Sequence, residues 1–211
     1  MNSRFSRLFG LFAIWFALVS LACNAQNSLL ATPTPAATFT PTATLTPTLL
    51  PMPDFKNAVL KSADFSADFR VLPNLPPNGV NQASYGFINA KEFQIIYGSS
   101  VPILSEQDNL GFEVMVNNPD MLMKATETET KVELKNIKTI SGMDRFGDIS
   151  SAFTAKTNIK NIPVQADFFI MRKGTLGTIV FSVYKIGSIP TISIQEIAKK
   201  LESRFNVVLG E

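Results

Sequence analysis

Between Thr32 and Pro51 the chain is dominated by threonine and proline, and this tract divides it into parts that must be read separately. From Thr34 it runs in units of six: Thr-Pro-Ala-Ala-Thr-Phe, Thr-Pro-Thr-Ala-Thr-Leu, Thr-Pro-Thr-Leu-Leu-Pro. Such a unit is too short and too poor in apolar side chains to bury a face against its neighbour. Proline removes backbone donors and favours extended polyproline geometry at about 3.1 Å per residue, so some 20 residues would separate what flanks them by on the order of 60 Å. Any hydrophobic core must lie beyond the tract, in residues 54–211.

The N-terminal side reads as a secretory leader. Met1 to Arg7 carries two arginines, Leu8 to Leu21 is an uncharged apolar run, and Ala22 is the small residue before Cys23. The run is shorter than the roughly 20 residues a membrane span needs. Leu18-Val-Ser-Leu-Ala-Cys23 resembles the lipobox of a bacterial lipoprotein, with Ser20 where leucine is usual. The resemblance implies cleavage between Ala22 and Cys23 and a diacylglyceryl thioether on the Cys23 thiol. Two or three acyl chains, at about 0.8 kcal/mol per buried methylene, anchor a protein stably where one does not. The expected organisation is a signal peptide over 1–22, a lipidated cysteine and linker over 23–53, and one globular domain over 54–211. That domain would work outside the cytoplasm, at the cell surface or in the periplasm, anchored to the cell membrane.

Removing the leader changes the charge. The whole chain has 19 Lys+Arg against 17 Asp+Glu. Arg4 and Arg7 lie in the leader and no acid precedes Asp54, so the remainder is balanced. A neutral domain gives no net-charge argument for a nucleic-acid partner. Cys23 is the only cysteine and there is no histidine, which excludes Ser/His/Asp and Cys/His catalysis, His- or Cys-built zinc sites and iron-sulfur clusters. A domain of about 155 residues with abundant phenylalanine buries enough surface to need no disulfide or metal.

Within 54–211, Asp54 is expected to cap a short helix over Phe55 to Lys61, with Val59 and Leu60 inward, and Asn74 to Gly79 to form a loop. Alternation predicts strands over Glu92–Gly98 and Leu110–Val116, the second on Leu110, Phe112, Val114 and Val116, with a long loop from Ser99 to Asn109 between them. Asn118 and Pro119 open a short helix whose apolar face is Met121, Leu122 and Ala125. A strand over Thr130–Ile140 slips register near Asn136, as a bulge would cause. Phe146–Ala155, Val164–Met171 and Leu176–Lys185 follow as strands, the last two a hairpin across Arg172-Lys173-Gly174. Ser193 and Glu196 form a capping box for a final helix with Ile194, Ile197, Ala198, Leu201 and Phe205 on one stripe, Ile192 and Ile197 as staple, and Lys199, Lys200 and Arg204 toward its C-terminus.

Runs of strands with a helix near each end predict an α+β domain with a mainly antiparallel sheet, flanked by a short N-terminal helix and a well-capped C-terminal helix. The order Arg145-Phe-Gly-Asp148-Ile-Ser150, a turn at Met171-Arg-Lys-Gly174, then Ile197-Ala-Lys-Lys-Leu201 resembles the extracytoplasmic sensor and PsbP-like domains of some bacterial lipoproteins. That likeness implies an antiparallel sheet flanked by helices and an accessory or binding role.

Motifs for phosphate loops and nucleophile elbows are missing. Four groupings stand out: Asp64 with Asp68, Ser182 with Lys185, Asp144 with Asp148 and Ser150, and Glu127 with Glu129 and Glu133. Each reads more simply as capping, alternation to opposite faces, a turn, and a solvated face. The expectation is a non-catalytic binding module with no catalytic residue, metal or cofactor, whose partners are the membrane through Cys23 and an envelope protein. A carrier of a small apolar ligand in a Phe-lined pocket is the first alternative. A carboxylate-only hydrolase of glycans is the second.

Overall fold

The computed structural model describes residues 54–73, 75 and 81–211. Ala22, Cys23, the Thr/Pro tract and all of the expected loop at 74–79 except Leu75 lie outside the described residues. The domain is α+β, built on one antiparallel sheet of seven strands. These are β1 (Arg70–Val71), β2 (Ala83–Asn89), β3 (Gln94–Pro102), β4 (Lys135–Thr139), β5 (Ile149–Ile159), β6 (Ile162–Lys173) and β7 (Leu176–Lys185), in the order β1-β2-β3-β7-β6-β5-β4. After β3 the chain forms α1 (Glu106–Asn117) and α2 (Pro119–Thr130), starts again at the far edge with β4, and returns inward until β7 pairs with β3. The helix α3 (Ile194–Leu209) closes the domain.

Both faces of the sheet are covered, which explains why β6 and β7 are apolar on both sides. Phe153, Phe168 and Phe181 share one core with Phe112 and Val116 of α1; Phe169 and Met171 share the other with Leu201 and Phe205 of α3. The β6–β7 hairpin turns through Gly174 at φ 54°, as expected. Lys160 and Asn161, at φ 51° and 66°, supply the two left-handed residues of the β5–β6 hairpin.

The closing helix is as the sequence indicates. The Ser193 hydroxyl accepts the Glu196 amide at 3.2 Å, and the Glu196 carboxylate accepts the Ser193 amide at 2.9 Å. Its buried residues are Ile194, Ile197, Ala198, Leu201 and Phe205. It runs on to Gly210 in the left-handed region, so Lys199, Lys200 and Arg204 fall before its last turn rather than in it. Arg204 meets Asp64 at 2.8 Å.

The segment Leu110–Val116 corrects the reading as a strand: it lies within α1. Phe112 and Val116, four apart, are 3% and 4% exposed, while Leu110 and Val114 are 55% and 48% exposed. A helical stripe takes alternate members of the apolar set and leaves the others outside. A capping box between Ser105 and Asp108 starts the helix inside the expected loop, and β3 occupies the rest of that loop through Pro102. Phe112 lies so close to β7 that a Cβ on Gly177 would stand 2.7 Å from its ring.

Smaller departures have similar causes. In α2, capped by Asn118 with Pro119 following, Leu122, Met123 and Thr126 are buried while Met121 and Ala125 are exposed. Thr126 can be buried because its hydroxyl donates to the Leu122 carbonyl at 2.8 Å. The strand expected from Thr130 begins only at Lys135, because α2 continues to Thr130. The bulge is present: pairing jumps from Lys135↔Lys156 to Lys138↔Thr154, with Asn136 at φ 55°. Turns replace the helix expected over Phe55–Lys61, followed by a single 3-10 turn at Ser62–Asp64. Phe55, Ala58 and Leu60 are all buried, and positions 58 and 60 do not share a helical face. β5 starts at Ile149, beyond Phe146, whose ring packs edge-on against Phe169 at 5.7 Å. β2 was not anticipated. Among the described residues, no helix is long and apolar enough to cross a membrane.

Candidate functional site

Length alone keeps α3 from covering the whole of a strand. At 1.5 Å per residue α3 spans about 24 Å, whereas the 12 residues of β6 extend about 40 Å. The α3 face of β6 accordingly changes character along the strand. Phe169 and Met171 lie beneath the helix; Gln165 and Asp167 share their side of the strand and continue beyond them.

Cross-strand pairing assembles two polar rows there. One reads Thr154–Asp167–Ser182 and the next Lys156–Gln165–Tyr184–Gln94, across β5, β6, β7 and β3. Toward β3 the rows are closed: Gln94 Nε2 donates to Ser182 Oγ at 2.8 Å and to the Ile192 carbonyl at 2.7 Å, and the Ile192 amide returns a bond to Gln94 Oε1 at 3.2 Å. Toward β5 they are open, with Thr154 and Gln165 half-buried and Lys156 exposed.

At the centre Asp167 is 6% exposed. Its carboxylate accepts the Tyr184 hydroxyl at 2.8 Å and Gln165 Nε2 at 3.2 Å, and the same Gln165 nitrogen donates to the Tyr184 oxygen at 2.7 Å. Burial, reinforced by the charge of Asp167 and by the hydrogen bond to it, pushes the Tyr184 phenol above its ordinary value. Tyr184 therefore stays a neutral donor to the carboxylate at any physiological pH. Among the described residues no Lys or Arg is within ion-pair distance of Asp167. Thr154 Oγ1, on the strand position opposite, is buried without a hydrogen-bond partner.

The bulge in β4 extends this corner. Residues three apart on a regular strand face opposite sides, but the extra residue places Lys135 opposite Lys156 and Lys138 opposite Thr154. Three lysines thus stand on the side of Thr154 and Asp167. Lys135 reaches Glu133 at 3.1 Å, but both side chains are mostly exposed, so that pair is screened and weak.

The groupings singled out from sequence fall elsewhere. Asp64 accepts the Lys61 amide at 2.7 Å and pairs with Arg204, while Asp68 is exposed. Ser182 is fully buried against Gln94, and Lys185 is exposed on the other face. Asp148 accepts the Gly174 amide at 2.8 Å and Ser150 bonds to Met143 and Phe146, so these two order local turns, while Asp144 is exposed. Glu127 accepts the Leu134 amide at 2.7 Å and Glu133 pairs with Lys135; the Glu129 side chain lies outside those described. Among the described residues no cluster of three or more Asp, Glu, His or Cys side chains could hold a metal ion. The core phenylalanines on both faces, such as Phe168 and Phe169, pack into the two cores. An open depression of about 640 Å³ at the end of the sheet, beside Phe93 and Ile162, also has Lys91, Glu92 and Lys185 in its wall.

No family model matches this chain, and no curated protein matches it. The polar corner was overlooked from sequence, although a signal for it existed. In β6, Phe169 and Met171 mark one face as core, and Gln165 and Asp167 are the polar residues that continue that face.

Proposed function

We propose that this chain is a lipid-anchored protein outside the cytoplasm, and that its globular domain is a non-catalytic binding module. The anchor would be Cys23, freed by cleavage after Ala22, as the resemblance to a lipobox implies. The observation that carries the binding role is the polar half of the α3 face, open on its β5 side and placed away from the point where the chain enters the domain. That entry point is marked by Ala58, whose carbonyl accepts Ser100 Oγ at 2.5 Å. The row of Lys156 and Gln165 meets β3 at Gln94, six residues from Ser100, or roughly 20 Å along the strand. Counting three strands across adds about 14 Å sideways. A domain held by its N-terminal stalk would present this corner away from its tether.

The test is photo-crosslinking in the native cell. A crosslinking residue replacing Asn158, exposed on β5 just beyond Lys156, should trap an envelope component; one replacing Asn57, exposed near the entry point, should not. Equal trapping from both positions would refute the site, and none from either would refute the binding role. The anchor is tested separately by Cys23→Ser, which should leave the membrane fraction.

A further inference from the structure

We infer that the corner formed by Lys135, Lys138 and Lys156 binds a polyanion carrying repeated phosphate groups outside the membrane; this rests on the reading of the same corner as a binding surface. Overall neutrality conceals a small local excess of positive charge here, three lysines against Glu133 and Asp167. Lys135 and Lys156 are direct cross-strand partners, which places their Cβ atoms about 4.5–5.5 Å apart. Lys138 stands one row away on the same side, at roughly 7 Å. Like charges directly opposite one another destabilise a sheet, and the bulge that adds Lys138 to them interrupts the ladder. A bound anion would offset that repulsion.

The neighbouring groups suit a spread-out anion. Asn158 and Gln165 flank Lys156 with neutral amides, Asp167 is turned into bonds with Tyr184 and Gln165 although it keeps its charge, and the pair of Lys135 with Glu133 is exposed and weak. No arginine lies in these rows. Arginine forks favour bidentate carboxylate recognition, whereas lysines act as point charges that suit phosphates in series. Lysines and bulges also protect exposed sheet edges from pairing with other molecules, and β4 is such an edge. Edge protection accounts for Lys135 and Lys138 on β4 but not for Lys156, which lies on the inner strand β5 directly opposite Lys135.

The experiment uses the full chain reconstituted in phosphatidylcholine vesicles, with labelled inorganic polyphosphate as probe. The expected result is retention that weakens with salt, with a log–log slope of about −2 for three lysines on a single-stranded polyanion. Each of Lys135→Gln, Lys138→Gln and Lys156→Gln should reduce that slope by about 0.7, and the triple variant should lose retention with its circular dichroism unchanged. Absence of retention by the unmodified chain, or full retention by the triple variant, would overturn the inference. So would a triple variant that self-associates yet still binds, which would leave edge protection as the role of the lysines. Equal retention of polyglutamate would overturn the phosphate assignment. Competition of polyphosphate retention by separately added phosphatidylglycerol vesicles, but not by phosphatidylcholine vesicles, would identify lipid headgroups as occupant instead. If polyphosphate is not retained while the Asn158 crosslinks persist, the phosphate assignment fails alone; if both are absent, the binding role fails with it.

Discussion

Beneath α3 the sheet presents two halves of contrasting chemistry on the same strands. Under the helix, Phe169, Met171, Leu201 and Phe205 exclude water; beyond it, Asp167, Tyr184 and Gln165 bond to one another and open onto Lys156. The backbone is equally regular in both, since β5, β6 and β7 pair without interruption through each. The difference shows that strand alternation specifies which side chains share a face, while the reach of the covering helix decides whether that face is an apolar core or a polar network opening to solvent at one edge. It also separates two kinds of cost: changes in the apolar half should act on stability, and changes among the lysines on binding.

The largest effect is expected in the apolar half. Phe205→Ala removes a fully buried ring from α3 and should cost about 3–5 kcal/mol in urea denaturation. A loss below about 1 kcal/mol would show that α3 packs more loosely than its burial indicates. At the junction of the halves, Tyr184→Phe leaves the Asp167 carboxylate without its closest donor and should cost about 1.5–3 kcal/mol. A neutral result would mean that the Tyr184–Asp167 bond adds nothing to the fold.

Tyrosine titration probes both halves and the core on the opposite face together. Tyr85, Tyr97 and Tyr184 are the chain's three tyrosines, and burial raises the phenol of each. Because the folded values lie above the unfolded value of about 10, their stabilisation is complete below that pH and is lost as pH rises through the folded values. Phenolate absorbance should therefore stay flat through pH 10 and appear only with alkaline unfolding. An ordinary titration in the folded chain would place at least one ring in water.

How far this was readable from sequence depended on whether local chemistry and tertiary placement agreed. They agree in α3, where the Ser193–Glu196 box, the Ile192 staple and the five-residue stripe all mark the same helix. They agree in the β6–β7 hairpin and at Asn136, where the break in alternation marks a real bulge. They conflict in α1, whose exposed Leu110 and Val114 complete a strand-like pattern although only Phe112 and Val116 reach the core. The capping pair Ser105 and Asp108 was the local sign that outweighs it. The polar corner was least legible, because it depends on where α3 begins relative to β6, and on a bulge whose existence could be read but whose partner strand could not.

The claim that matters most is that the lysine corner serves recognition and not stability. Urea denaturation and polyphosphate retention measured on one Lys156→Gln chain test it directly. Its unfolding free energy should lie within about 0.5 kcal/mol of that of the unmodified protein, together with a salt slope reduced by about 0.7. A destabilised chain whose salt slope is unchanged would contradict it.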